Sequence, residues 1–430
     1  MTAYKCPMPK SLRTSRIYNL AMETQSAETR TAFLSGRLAE TVRHAHAHAP
    51  RVRAQLESAG VKPADIRSPN DLLRLPIIRK DGLAAIQAED LPFGGLNGVA
   101  VEKLARIFMS PGNIYDPQGD APDFWRFAPA LVAAGFRAGD LVQNTFSYHM
   151  TPAGFMFDSA LRHLGCAVIP AGVGQTELQV RMAADLGVTG YTGTPSFLHT
   201  LLAKARELTT PLKIEVAFVT GEMLAPSLRT ELESEFGVRV LQGYGTADLG
   251  LIAYECPEKD GLHLHPECIV ELLDLETGQP ALPGQPGEIV ATLFDQTYPL
   301  IRFATGDISS WKEAASCACG RTAPKLSGLL GRVGDAVKVK GMFIRGSQID
   351  AVMKAFPEVA RYQAVVTREQ HQDLLTYVVE LAETATSGGL VERMVEALRD
   401  QLKVRGEVEI AAAGTLSQSA KKIDDRRTWK

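Results

Sequence analysis

Over residues 26–58 the apolar side chains Leu34, Leu38, Val42 and Ala45 recur at helical spacing, and the cluster Ser68-Pro69-Asn70-Asp71 breaks the pattern before Leu72. The first segment therefore reads as helical cover. Between residues 141 and 251, short apolar runs at 166–169, 216–219 and 238–241 alternate with amphipathic stretches at 178–186 and 226–236. That rhythm predicts parallel strands joined by crossover helices. After Cys256 the texture changes to strands at 269–273 and 287–293, separated by turns at Gly278 and at Pro283-Gly284-Gln285-Pro286-Gly287, which predicts a β-rich subdomain. The C-terminal stretch reads as strand 364–367, strand 374–381, helix 389–402 and strand 408–412, the pattern of a small α+β domain.

A length of 430 residues exceeds what one core supports, since single cores stop growing near roughly 250–300 residues. The expected fold class is α/β: a large N-terminal domain, residues 1–333, with α/β layers and a β-rich subdomain, then a small mobile C-terminal α+β lid domain, residues 334–430, with the active site between them. An apolar fraction of 45%, 22% charged residues and a net charge of -3 describe an ordinary globular chain and argue against a nucleic-acid partner. Residues 1–16 carry Lys5, Lys10, Arg13 and Arg16 but no apolar core of a leader, and no apolar run approaches the roughly 20 residues that span a bilayer. The expectation is a cytoplasmic protein with no membrane partner. The sequence does not set the oligomeric state and is compatible with a homodimer. Six cysteines are too few for a disulfide scaffold, which leaves reduced thiols or a metal site. The histidines His44, His46 and His48 read as a helix end running into Pro50 rather than as metal ligands.

Three glycine-punctuated runs carry the chemistry. The first, Tyr298-Pro-Leu-Ile-Arg-Phe-Ala-Thr-Gly-Asp307, sets an aspartate where its two oxygens could accept both ribose hydroxyls of a nucleotide. The second, Gly331-Arg332-Val-Gly-Asp335-Ala-Val-Lys-Val-Lys-Gly341, lies at the expected domain junction, where a hinge belongs. The third, Gln242-Gly-Tyr244-Gly245-Thr246-Ala-Asp248, follows an apolar strand; its glycines let a ligand approach the backbone and its aspartate could hold Mg2+. Gly221-Glu222 precedes it.

In this order the runs resemble the phenylacetate-CoA ligase branch of the adenylate-forming superfamily of acyl-CoA synthetases, luciferase and adenylation domains. The resemblance extends from Ile17-Tyr18-Asn19 through residues 61–80 to the lysine-rich C-terminal tail. It implies an AMP-forming acid-CoA ligase that takes ATP, Mg2+, coenzyme A and a small, aromatic carboxylic acid. By the same resemblance Asp307 would be the ribose ligand, Arg332 a partner of ribose or phosphate, and Asp335 the hinge. Gly221, Glu222 and Tyr244 would line the adenine pocket, Gly245 would also bind the nucleotide, and Thr246 would lie near the α-phosphate. Asp248 stands where the family has glutamate, keeping the charge on a shorter arm. A lysine of Ser417-Gln-Ser-Ala-Lys421-Lys422 would bridge the substrate carboxylate and the α-phosphate, with Lys422 at the expected offset and Lys421 as the alternative.

The phosphate loop departs from the family's Ser/Thr/Gly-rich turn. In residues 109–119, Pro111 removes a donor and Asp116 adds a negative charge, leaving Ser110, Gly112 and Asn113 as contributors. The acyl pocket is expected around Phe146, Tyr148 and Gly154, with His149 read as a structural histidine that could serve as a base. Cys256, His263 and the Cys317-Ala-Cys319 pair flank the β-rich subdomain and suit a structural Zn2+, with Cys268 and His265 as substitutes. Two other outcomes stay open: a silent relative that binds nucleotide or acyl-CoA without turnover, and an adenylating enzyme with a different acceptor.

Overall fold

The computed structural model describes residues 16–275, 277–313, 317–333, 337–340, 342–344, 346–370, 372–382, 389–417 and 421–428. The chain divides into two compact units, one made of residues 1–220 and 231–331 and the other of residues 221–230 and 332–430.

Ser26 opens the first long helix, its hydroxyl accepting the Thr29 amide, and the helix runs over Ala27–His48. It does not continue through residue 58. Pro50 has no amide hydrogen to donate, so it ends the ladder and starts a second helix, Pro50–Ser58, at its first position. Leu38, Val42, Ala45, Val52 and Leu56 are fully buried in the larger core of this unit.

Among the described residues, nine strands form the main sheet of the first unit. Its parallel half is Ala167–Pro170, Leu141–Asn144, Gly190–Gly193, Val216–Val219 and Arg239–Thr246, in that spatial order, with crossover helices such as Thr176–Leu186 between them. Val216–Val219 is buried at every position, as a strand covered on both faces must be. Gly250–Glu255, Leu262–Leu264, Lys325–Leu326 and Trp311–Lys312 extend the same sheet in antiparallel fashion. A second sheet runs Ile78–Arg79, Phe303–Ser309, Gly287–Leu293, Cys268–Leu273. This is the β-rich region the turn spacing predicts.

The second unit carries a sheet ordered Glu407–Ala411, Gln372–Leu381, Val359–Glu369, Ile423–Asp425. Helix Leu390–Leu402 buries Leu390, Met394, Leu398 and Leu402, one apolar stripe at four-residue spacing, against this sheet and helix Gly346–Met353. The expected strands at 364–367 and 374–381 are longer than their apolar patterns, and the short strand Ile423–Asp425 has no apolar signature of its own. None of the helices among the described residues is long and apolar enough to cross a membrane.

Candidate active site

Strand Arg239–Thr246 reaches past its apolar start and carries Tyr244 into the core. The Tyr244 hydroxyl donates to Asp307 Oδ2 at 2.9 Å and lies 3.0 Å from Thr305 Oγ1. Two motifs 63 residues apart, on two different sheets, thus meet at one buried carboxylate. The Thr305 hydroxyl also receives the Asp307 amide at 3.1 Å, which fixes the strand that presents this carboxylate. Arg302 of the same motif has no place in this contact. It forks onto Glu271, with NH2 2.9 Å from Oε1 and Nε 3.1 Å from Oε2, and ties the second sheet together.

Past Thr246 the chain turns back through residues 247–249 into Gly250–Glu255. A Cβ on Gly245 would lie 2.4 Å from the Gly250 carbonyl oxygen, so only glycine allows this approach. The Thr246 hydroxyl accepts the Leu249 amide at 3.1 Å. The turn directs Asp248 inward, where its side chain is fully buried and forms an ion pair with Lys80. Lys80, at the end of the conspicuous 61–80 segment, has no role assigned from sequence, and its partner lies 168 residues away. Asp248 Oδ1 is buried without a hydrogen-bond partner.

The phosphate-loop region is a β-hairpin, Arg106–Ser110 with Ile114–Gln118. Gly112 and Asn113 at its tip adopt φ of 99° and 58°. The Ser110 hydroxyl, buried, donates to the Ile114 carbonyl at 3.5 Å across the neck. Asp116, expected to add a negative charge to this loop, lies in the second strand of the hairpin. Strand alternation turns Asp116 inward, its exposure is 1%, and neither oxygen has a hydrogen-bond partner of normal geometry. Burial first, then the neighbouring Asp248 charge, pushes the Asp116 carboxyl well above the ordinary range, opposed by Lys80 and by Ser110. Burial thus disfavours the charged form of this carboxyl.

The acyl segment adjoins this hairpin, the Met109 amide donating to the Met150 carbonyl at 2.9 Å. Asn144 at the end of its strand donates to the Tyr148 hydroxyl and to the Gly154 carbonyl, both at 2.8 Å. A Cβ on Gly154 would lie 2.8 Å from the Tyr148 ring. Phe146 stacks on Phe157 at 4.7 Å between centroids, and Tyr148 meets Phe155 edge-on at 5.2 Å. Burial, and then Asp158, push the Tyr148 phenol up, while burial raises the Asp158 carboxyl. His149 is exposed, with its amide on Ser147 Oγ at 3.2 Å.

In the second unit the Lys422 carbonyl accepts the Ala364 amide at 2.9 Å, and its ammonium pairs with both oxygens of Asp350. The Lys421 carbonyl accepts from Gln363 Nε2 at 2.9 Å, and its side chain is exposed. Gly221, with φ of 91°, and Glu222 belong to the segment grouped with this unit, as does Arg332. Asp335, the expected hinge, lies outside the described residues, as does Ser419.

Residues 126–292 match the model of the AMP-binding enzyme family, and residues 341–427 match that of the AMP-binding enzyme C-terminal domain. The phenylacetate-coenzyme A ligase of Thermus thermophilus is 31% identical over 383 residues, covering 85% of either chain. That relation decides the family. The chain belongs to the phenylacetate-CoA ligase family of AMP-binding enzymes. It is an adenylate-forming acid-CoA ligase. The Escherichia coli phenylacetate-coenzyme A ligase is 28% identical over 426 residues, 93% of this chain and 94% of the relative. Among solved structures, 2-hydroxyisobutyryl-CoA ligase in complex with 2-HIB-AMP and CoA matches with a TM-score of 0.88 at 25% identity, covering 99% of this chain and 95% of that one.

This acid-CoA ligase also gathers the sequence-predicted metal ligands. Ligand atoms of Cys256, His263, Cys317 and Cys319 all lie within 4.8 Å of one another. Cys256 follows strand Gly250–Glu255, His263 sits in the paired strand Leu262–Leu264, and the two remaining cysteines lie in the turn before Lys325–Leu326. His263 Nε2 faces Cys319 Sγ at 3.5 Å while Nδ1 lies 3.3 Å from the Ala323 carbonyl, an arrangement that fixes which nitrogen faces the cluster. The Cys319 thiol is held well below its ordinary value, first by the Cys256 thiol and also by His263. The substitutes are elsewhere: Cys268 Sγ reaches the Ile269 carbonyl, and His265 Nδ1 accepts the Glu267 amide at 3.1 Å. His44 is structural too, its Nε2 lying 3.1 Å from the Gly98 carbonyl and 3.0 Å from that of Gln296.

Proposed function

We propose that this ligase adenylates a small aromatic carboxylic acid with Mg2+ and ATP and passes the acyl group to coenzyme A. A carboxylate oxygen attacks the α-phosphorus and pyrophosphate leaves; the coenzyme A thiol then attacks the acyl carbon, loses its proton, and AMP leaves. The observation that carries the nucleotide half is the buried Tyr244–Asp307 contact. A carboxylate has two oxygens that accept hydrogen bonds, and the Tyr244 phenol orients one of them, so Asp307 is the ribose ligand and Tyr244 its orienting partner, with Gly221, Glu222 and Gly245 as further nucleotide-binding residues. Thr246 attends the α-phosphate, Ser110 and Gly112 the outer phosphates, and Arg332 ribose or phosphate. Lys422 bridges the acid and the α-phosphate, neutralising charge that grows in the transition state.

Mg2+ would be held by Asp248. The buried Oδ1 without a partner fits a cation ligand, and the adjacent Asp116 oxygens supply further acceptors once ionised. Three thiols and one imidazole are the donor set of a closed structural zinc site, and Zn2+ would be held by Cys256, His263, Cys317 and Cys319. The aromatic acid is favoured by Phe155 set against the Tyr148 ring and by Phe146 in the same segment. Acid-dependent pyrophosphate release measured over a panel of aryl, short aliphatic and hydroxy acids tests this specificity. An aryl acid with the highest kcat/KM is expected; preference for 2-hydroxyisobutyrate or another aliphatic acid would refute the aromatic reading while leaving adenylation intact.

A further inference from the structure

The backbone at Lys422 is pinned to the C-terminal sheet, the next three residues running parallel to residues 364–366. Its stem lies over Gly346, where an added Cβ would come within 3.3 Å of Lys422 Cβ and 3.5 Å of its Cδ. A residue without a side chain leaves the room this stem needs. The ammonium is directed to both oxygens of Asp350 and stands 5.9 Å from the centroid of the Tyr362 ring. Helix Gly346–Met353 supplies Asp350, and strand Val359–Glu369 supplies Tyr362, whose hydroxyl donates to Asp350 Oδ1 at 2.6 Å. The Tyr362 hydroxyl is also 3.3 Å from the Gly346 carbonyl, so the carboxylate, the phenol and the stem channel form one connected set.

An ammonium has three donors and no acceptor. Bridging a substrate carboxylate and an α-phosphate oxygen uses at least two, and the Asp350 carboxylate takes two as well. The two engagements compete. We infer that Asp350, oriented by Tyr362, is the resting partner of Lys422, a latch that competes with the acid and the α-phosphate for its ammonium. This rests on the reading of Lys422 as the bridging lysine. The pair is half exposed, with side-chain exposures of 49% for Lys422 and 33% for Asp350, so the competition is shallow.

The test separates the two half-reactions of the full-length enzyme: acid-dependent ATP–pyrophosphate exchange, and transfer from a preformed acyl-adenylate to coenzyme A. Asp350→Asn should raise kcat/KM of the exchange about two- to fivefold, the range of a solvent-accessible ion pair. The ratio of variant to wild type should shrink as salt is added, and the transfer step should be unchanged. In a Lys422→Ala background the same change should have no effect. A fall in exchange alone would make Asp350 an orienting residue and overturn the latch; no change, or an equal fall in both steps, would overturn it too. Exchange surviving Lys422→Ala but lost in Lys421→Ala would remove the reading of Lys422, and the latch with it.

Discussion

At the scale of single residues, Lys80, Asp116 and Asp248 form a buried charged group beside the hairpin at residues 106–118. Removing one member of a buried ion pair strands the other, so Lys80→Met should destabilise the fold by about 3 kcal/mol in urea denaturation. Asp116 titrates in the opposite sense to a paired carboxylate. Its folded pKa is raised, so its contribution to stability is complete below the ordinary carboxylate value. That contribution is lost as pH climbs from there through the raised value, because the unfolded chain ionises first. Denaturation across pH should show this decline in the wild type and a flatter profile in Asp116→Asn. Tyr244→Phe should raise the KM for ATP about fivefold, the value of one hydrogen bond near 1 kcal/mol, with kcat little changed. Asp307, Tyr244 and Asp248 stand out in the sequence because they lie in glycine-rich runs, and the structure brings Tyr244 and Asp307 into contact. Lys80 cannot, since what makes it matter is a partner 168 residues away. Asp116 shows a related limit: its carboxyl group is visible in the string, its burial is not.

Among the elements, legibility follows the amphipathic signal. The strand Gly287–Leu293 has the bounds its pattern predicts, and helix Leu390–Leu402 starts one residue later than expected, because each buries an unbroken apolar face. The hairpin Arg106–Ser110 with Ile114–Gln118 and the strand Ile423–Asp425 are not evident in the sequence. The first mixes arginine, serine, aspartate and proline; the second is a short, charged edge strand held by backbone bonds to residues 364–366. The antiparallel end of the main sheet is where a metal has most to contribute, since short strands such as Lys325–Leu326 and Trp311–Lys312 meet the Cys256, His263, Cys317 and Cys319 cluster there. Elemental analysis should find one zinc per chain. Stripping it, or making Cys319→Ser, should cost about 4 kcal/mol if the ion is held at a thousand times its Kd, read as a lowered Tm that added zinc restores only in the unmutated chain.

For the whole molecule, one carboxylate joins the two sheets of the first unit, and the C-terminal unit holds Lys422 in a prepared position. In the proposed function the first arrangement serves nucleotide binding and the second acyl activation. The order of motifs along the chain suffices to indicate the family, because it survives changes such as Asp248 for glutamate and the altered loop at residues 109–119. The acid is less legible, since aromatic residues of the expected acyl segment also pack against or within the core. The decisive measurement for acid-CoA ligation follows product formation with purified protein, Mg2+, ATP, coenzyme A and an aryl acid, using mass spectrometry for the thioester and chromatography for nucleotides. One AMP and one acyl-CoA per acid consumed are expected, dependent on all substrates and lost in Asp307→Ala. ADP as the nucleotide product, or nucleotide binding without any thioester over the full acid panel, would contradict this expectation.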